Sequence, residues 1–310
     1  MGWVVRGGGG FGVGGEGGKD KNNDKNPPPP SQPDPLPTTH ILRTLQDKRL
    51  RFSILCLVFL PIAVSPAFSI DLDRLSPEEE VHLNAILARL EEPLAPRKAD
   101  GSVNLLTFSE LYGLLPPEDH LFLDAIRSVD PATLGATAHS FPEEEGVEFV
   151  KIEGQPVAVI KDGKLQPIGP QFLPKKVYEA YEAMMEAMAR DLGRRLYLES
   201  GYRSPAYQLT LFLTYLPKHN HSIRETNRFV ALPGHSEHGA PSRQAIDFIN
   251  QDGINGEENP EEFEALPEYQ WLTQKAHRFH FVLSYPRSNP WNTSFEPWHW
   301  HHEKTRMTTD

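Results

Sequence analysis

One cysteine serves all 310 residues, and that sets the terms on which this chain can fold. Cys56 has no second thiol to pair with, so no disulfide can staple the fold and no thiolate pair can hold a metal. It also lies inside an apolar run, away from any chemistry-bearing motif. Stability must come from a buried core, which a chain of this length can build as one sizeable domain or two small ones. Any metal must be held by imidazole and carboxylate. The formal net charge of -11 repels phosphate backbones, which argues against a nucleic-acid partner.

The composition divides the chain. Residues 1–47 form a head rich in Gly, Pro, Asn and Asp, with Gly7 to Thr39 almost free of core-forming side chains, and are expected to be disordered. Residues 48–69 follow an export pattern: basic Lys48, Arg49 and Arg51, an apolar stretch from Phe52 to Val64, then Ser65-Pro66-Ala67-Phe68-Ser69. The apolar stretch is short of the ~20 residues of a membrane span. It reads as a signal peptide, or as an uncleaved anchor that would be the chain's one contact with a membrane. Leu55 before Cys56 disfavours lipid attachment. An exported protein of the periplasm or cell envelope is expected.

Residues 70–145 read as a helical N-terminal region. Ser76-Pro77-Glu78-Glu79 opens a helix, with Leu83, Ile86, Leu87 and Leu90 at helical spacing. A second helix is expected over Pro117–Val129. In 146–310, Glu153-Gly154 and Asp162-Gly163 are hairpin-type turn signals. Lys175–Leu192 is a strong helix with Val177, Tyr181, Met184, Met185 and Met188 on one side. Arg195–Ser200 and Phe281–Tyr285 read as strands. His277 and His280 belong to the end of a helix and its exit.

Chemistry concentrates in two segments, Pro233-Gly234-His235-Ser236-Glu237-His238-Gly239 with Ala245-Ile246-Asp247-Phe248, and Phe295-Glu296-Pro297-Trp298-His299-Trp300. Zinc catalysis needs three nitrogen or oxygen ligands, an open position for water, and a carboxylate that is not a ligand. His238, Asp247 and His299 can supply the ligands and Glu296 the base. Strand parity sends Asp247 opposite to Ile246 and Phe248, into a cleft. Pro297 biases Glu296 away from helix, and in an extended chain Glu296 and His299 would fall on opposite faces, so the backbone must bend to bring both to one metal. Arg203 ends a strand, just before a helix opened by Ser204-Pro205, and its planar fork suits a carboxylate or oxyanion. Trp298 is read as a wall beside the metal, and Trp271, Trp291 and Trp300 as core. His301 shares the parity of His299 and is read as solvated rather than as a further ligand.

Three blocks resemble, in order, the VanY-type D-alanyl-D-alanine carboxypeptidases, whose zinc site is similar to that of the lysostaphin-type peptidases and the hedgehog signalling domain. They are Ser200-Gly201-Tyr202-Arg203-Ser204 with Gln208, then Gly234-His235-Ser236-Glu237-His238 with Ala245-Ile246-Asp247, then Glu296-Pro297-Trp298-His299. The resemblance spans about Leu196 to His302. It implies one zinc per chain on His238, Asp247 and His299, Glu296 as general base, and Arg203 facing substrate, with Ser236, Gln208 and Trp298 as further substrate contacts. The implied reaction is hydrolysis of the terminal D-Ala-D-Ala bond of peptidoglycan stem peptides. An L,D-carboxypeptidase, an endopeptidase on the same polymer, or a non-catalytic zinc-binding module are the alternatives. The implied fold is α+β, a small antiparallel sheet carrying the zinc site with helices packed behind. The chain departs from the family in two places. Asp247 follows His238 by nine residues rather than seven, and His301 and His302 stand where an arginine and an aromatic residue are usual.

Overall fold

The computed structural model describes residues 70–303, apart from 136–138, 162–163 and 290–293. The head, the export pattern with Cys56, the Asp162-Gly163 turn and Trp291 lie outside the described residues. Among the described residues no helix is long and apolar enough to cross a membrane.

Helix α1, Pro77–Asp100, starts where the local chemistry sets it. The Glu79 N–H donates to Ser76 Oγ at 3.2 Å while the Glu79 carboxylate accepts from the Ser76 N–H at 2.7 Å, a reciprocal cap. It ends at Gly101, whose φ of +78° is left-handed and whose missing Cβ would stand 2.5 Å from the Pro170 carbonyl oxygen. Leu83, Ile86, Leu90 and Leu94 form its buried stripe. Short helices α2 (Phe108–Gly113) and α3 (Pro117–Arg127) follow. Asp119 of α3 is buried, and its charge is met by Arg89 Nη1 and His82 Nε2, both donating at 2.7 Å.

Strands β1 (Phe149–Ile152), β2 (Ala158–Lys161), β3 (Lys164–Pro167) and β4 (Gln171–Pro174) come next. β2 and β3 pair across 162–163, Lys161 opposite Lys164. The Glu153-Gly154 signal does not close a hairpin: β1 pairs antiparallel with β4, Phe149 opposite Pro174. Gly154 does turn the chain, at φ +69°, but a distant partner takes the strand.

Helix α4, Lys175–Leu192, buries Val177, Tyr181, Met184, Met185 and Met188. Then come β5 (Tyr197–Ser200), α5 (Pro205–Tyr215, capped by Ser204), α6 (Ile223–Thr226), β6 (Ala245–Ile249), α7 (Pro260–Glu264), α8 (Pro267–Lys275), β7 (Phe281–Leu283) and β8 (His299–His302). Four of these strands make an antiparallel sheet in the order β5-β6-β8-β7. The fold is α+β with small antiparallel sheets. Its apolar interior has two clusters. One joins α1–α3 to α5 through Leu83, Phe122, Leu209 and Phe212. The other packs α4 and α8 behind the four-stranded sheet through Tyr181, Met184, Phe248 and Trp300.

Candidate metal centre

Asp247 is the middle residue of β6, and its neighbours Ile246 and Phe248 are fully buried, so strand alternation delivers the carboxylate to the other face. His299 opens β8 directly opposite Asp247 in register. His238 arrives from the short 3-10 turn Glu237–Gly239. Asp247 Oδ1 lies 2.8 Å from His299 Nδ1, and Asp247 Oδ2 lies 3.0 Å from His238 Nε2. One ligand atom from each of the three lies within 4.8 Å of the others. The far nitrogens are tied back. His238 Nδ1–H donates to the Gly201 carbonyl at 2.7 Å, and His299 Nε2–H donates to Glu237 at 3.1 Å. Those bonds leave His238 Nε2 and His299 Nδ1 turned to one point beside the Asp247 carboxylate.

The donor set fits zinc: two imidazole nitrogens and a carboxylate, buried, with the other ring nitrogens satisfied. With its proton on Nδ1, enclosed His238 Nε2 faces only the Asp247 carboxylate, acceptor against acceptor, a mismatch that a metal ion at this point would remove. Without metal, burial opposes the charge on Asp247, but the two imidazoles overcome it and hold the carboxyl well below its usual range. Burial, with the Arg203 charge beside it, pushes His238 down to about 4, leaving a neutral ring free to act as a ligand.

Glu296 comes to this point through a tight turn. The His299 N–H bonds back to the Glu296 carbonyl at 3.1 Å, with Pro297 and Trp298 at the turn's centre. This is the bend that an extended chain lacked. A Glu296 carboxylate oxygen stands 3.8 Å from His299 Nδ1. Burial pushes Glu296 up to about 7, against the pull of His299 and Arg203. Tyr285, which sequence reasoning passed over as a strand end, packs its ring 4.9 Å from that of His299 and takes the Glu296 N–H on its carbonyl.

Arg203 follows β5, its N–H bonded to the His238 carbonyl at 3.0 Å. Its Nε is enclosed without a hydrogen-bond partner. The residue lines a cavity of about 250 Å³ with Lys98, Asn104, Gln171, Glu199 and Tyr207. Ser236 is buried and precedes the ligand turn, its carbonyl accepting from the Gly239 N–H. Trp298 is half-buried, packed against Gly256, where a Cβ would meet the indole at 2.6 Å.

Gln208 is 2% exposed on α5, its Nε2 donating to the Ala231 carbonyl at 2.8 Å on the loop that leads to the ligand turn, while its Oε1 has no hydrogen-bond partner. One expectation needs correction. His301 is not solvated: it is 2% exposed, and its Nδ1 lies 2.7 Å from Ser284 Oγ. Glu237 was missed altogether. It is buried between Arg243 Nε at 2.8 Å and the His299 ring, and a charged residue beside a histidine gives no spacing signal for that.

Glu199 breaks the strand pattern. Leu198 faces Phe248 and Ser200 faces Asp247, so Glu199 is the extra residue of a β-bulge. Asn255 donates to one of its oxygens at 2.8 Å while the other has no partner. Burial, then the charges of Glu257 and Asp247, push it from 4.5 up to about 8, against that hydrogen bond. A raised carboxyl pKa favours folding below the unfolded value and loses that favour as pH rises through the folded one, at ~1.4 kcal/mol per unit. Metal-free protein is therefore expected to lose stability from about pH 5 to about pH 8, and Glu199→Gln to lose less of it. Parallel melting-temperature curves for the two proteins would contradict this.

The VanY family, described as D-alanyl-D-alanine carboxypeptidase, matches the chain over residues 170–304. YodJ of Bacillus subtilis (strain 168), named as a carboxypeptidase, is 29% identical over 136 residues, 43% of this chain and 47% of that protein. The match thus spans about half the length of that relative. Among solved structures, a mutant of the vancomycin-resistance D,D-pentapeptidase VanY with Zn(II) is 22% identical over 54% of this chain and 84% of its own, with a TM-score of 0.38. The LdcB LD-carboxypeptidase is 22% identical over 57% of this chain and 79% of its own, with a TM-score of 0.41. Residues 170–304 are thus similar to the VanY family of D-alanyl-D-alanine carboxypeptidases.

Proposed function

We propose that the chain is a zinc-dependent D,D-carboxypeptidase that removes the terminal D-alanine of peptidoglycan stem peptides. The observation that carries this reading is the convergence of His238 Nε2, Asp247 and His299 Nδ1 with a carboxylate beside them, Glu296, that none of the three needs for its own hydrogen bonding. A purely structural zinc site is closed and needs no such base.

Zinc held by the three ligands would polarise the scissile carbonyl and make a water molecule acidic. Glu296 takes the proton of the attacking water and hands it to the nitrogen of the departing D-alanine as the C–N bond breaks. Burial favours the protonated form of Glu296, which supports its holding the proton between the two transfers. Arg203 presents its unpartnered donors to the developing oxyanion or to the terminal carboxylate. The His238 carbonyl holds the Arg203 backbone, so ligand and arginine keep a fixed relation. The basic–apolar–small pattern of residues 48–69 supports placing this reaction in the cell envelope.

The test is D-alanine release from a muramyl pentapeptide. Release that stops with a chelator and returns with zinc is the expected result. A zinc-loaded protein that releases no D-alanine would overturn the proposed specificity, and release indifferent to chelator would overturn the metal.

A further inference from the structure

Glu237 and His238 are consecutive on a single 3-10 turn, so their side chains diverge and only one of them can face the metal point. His238 does. Glu237 meets the other histidine at its Nε2, the ring nitrogen turned away from that point. It is 6% exposed, and every contact its carboxylate makes is with a donor. His299 Nε2 lies 3.1 Å from Oε2, Arg243 Nε lies 2.8 Å from Oε1, and Ser284 Oγ also bonds to Oε2.

Counting protons fixes the direction of each bond. Ser284 has a single hydroxyl proton and gives it to Glu237, since a carboxylate only accepts. It must then accept from His301, whose Nδ1 lies 2.7 Å away. His299 likewise gives its Nε2 proton to Glu237, while its Nδ1 faces the Asp247 carboxylate at 2.8 Å on the side of the metal point, where a metal ion would take the place of the Nδ1 proton. The chain of donors therefore ends on one carboxylate, which holds the rear of a ligand's ring. Arg243 holds it in place from the far side.

We infer that Glu237 is a positioning residue for His299, held in turn by Arg243, Ser284 and His301. The inference rests on the metal-site reading above and goes beyond it, since Glu237 is outside the ligand set and reaches it through the His299 ring. A carboxylate behind a ligating imidazole fixes its orientation and strengthens it as a donor, and loss of such a partner typically weakens metal binding by about 10- to 100-fold. The alternative is that Glu237 merely anchors the loop through its ion pair with Arg243.

The experiment measures zinc affinity of the full chain by competition with a chromogenic chelator, alongside metal-free melting temperatures. Glu237→Ala is expected to weaken zinc binding by about 10- to 100-fold. Glu237→Gln keeps an acceptor for His299 and is expected to recover part of that loss. It also serves if the alanine variant fails to fold. Arg243→Gln cuts the ion pair but leaves the His299 contact, and is expected to lower the melting temperature with less than a threefold change in zinc affinity. Native zinc affinity in both folded Glu237 variants would overturn the inference, as would an equal loss in Arg243→Gln. A native chain that binds no zinc would instead overturn the metal-site reading itself.

Discussion

Glu296→Gln is expected to lower kcat for D-alanine release by about 10²- to 10⁴-fold, the usual contribution of a positioned general base, with zinc still bound at one per chain. The substitution keeps the shape of the side chain and removes its ability to take a proton. The backbone bonds that form the turn, from the Glu296 N–H to Tyr285 and from the His299 N–H to Glu296, do not depend on the carboxylate. His299 should therefore stay in place, and KM should change far less than kcat. Metal content measured on the same preparation separates a lost base from a lost ligand. If the glutamine variant turns over at the native rate with zinc bound, Glu296 has another role.

The largest expected effect on stability is at Phe248. Its side chain is fully buried, stacked 6.2 Å from the ring of Tyr181 on α4, and it sits next to Asp247 on the strand that every part of the site leans on. Phe248→Ala removes a ring that the surrounding helices cannot collapse to fill, at a cost of about 3–5 kcal/mol. Denaturant unfolding of the metal-free protein should show this loss directly. A cost below about 1 kcal/mol would mean that the sheet's inner face is not close-packed there.

The sequence carries some of this and hides the rest for physical reasons. Helix α4 is legible because five apolar side chains repeat at its own period, and all five are buried. The start of α1 is legible because a cap is local chemistry: Ser76 and Glu79 need only each other. His238, Asp247 and His299 could be grouped because metal ligands must differ from their surroundings in kind, and the structure brings their donor atoms together. Pairings that span long stretches leave no such mark. Ser284 and His301 are 17 residues apart, and nothing in either neighbourhood names the other. Glu153-Gly154 has the chemistry of a hairpin, yet β1 finds β4 because pairing is settled by tertiary packing. Glu199 lies on a strand whose register slips by one, so counting by twos goes wrong just there. Gln208 is a like case: its Nε2 holds the carbonyl of Ala231, 23 residues on, and no motif names that partner.

The two apolar clusters meet at the residue that faces the cavity. Arg203 lies between β5, whose Leu198 is in the cluster behind the sheet, and α5, whose Leu209 and Phe212 are in the cluster shared with α1–α3. Ser204, the cap of α5, is bonded through its N–H to the Asn104 carbonyl at 2.9 Å, so the seat of the arginine is set partly by residues that precede position 170. The arginine's place beside the His238 carbonyl thus depends on contacts made by the helical half as well as by the sheet.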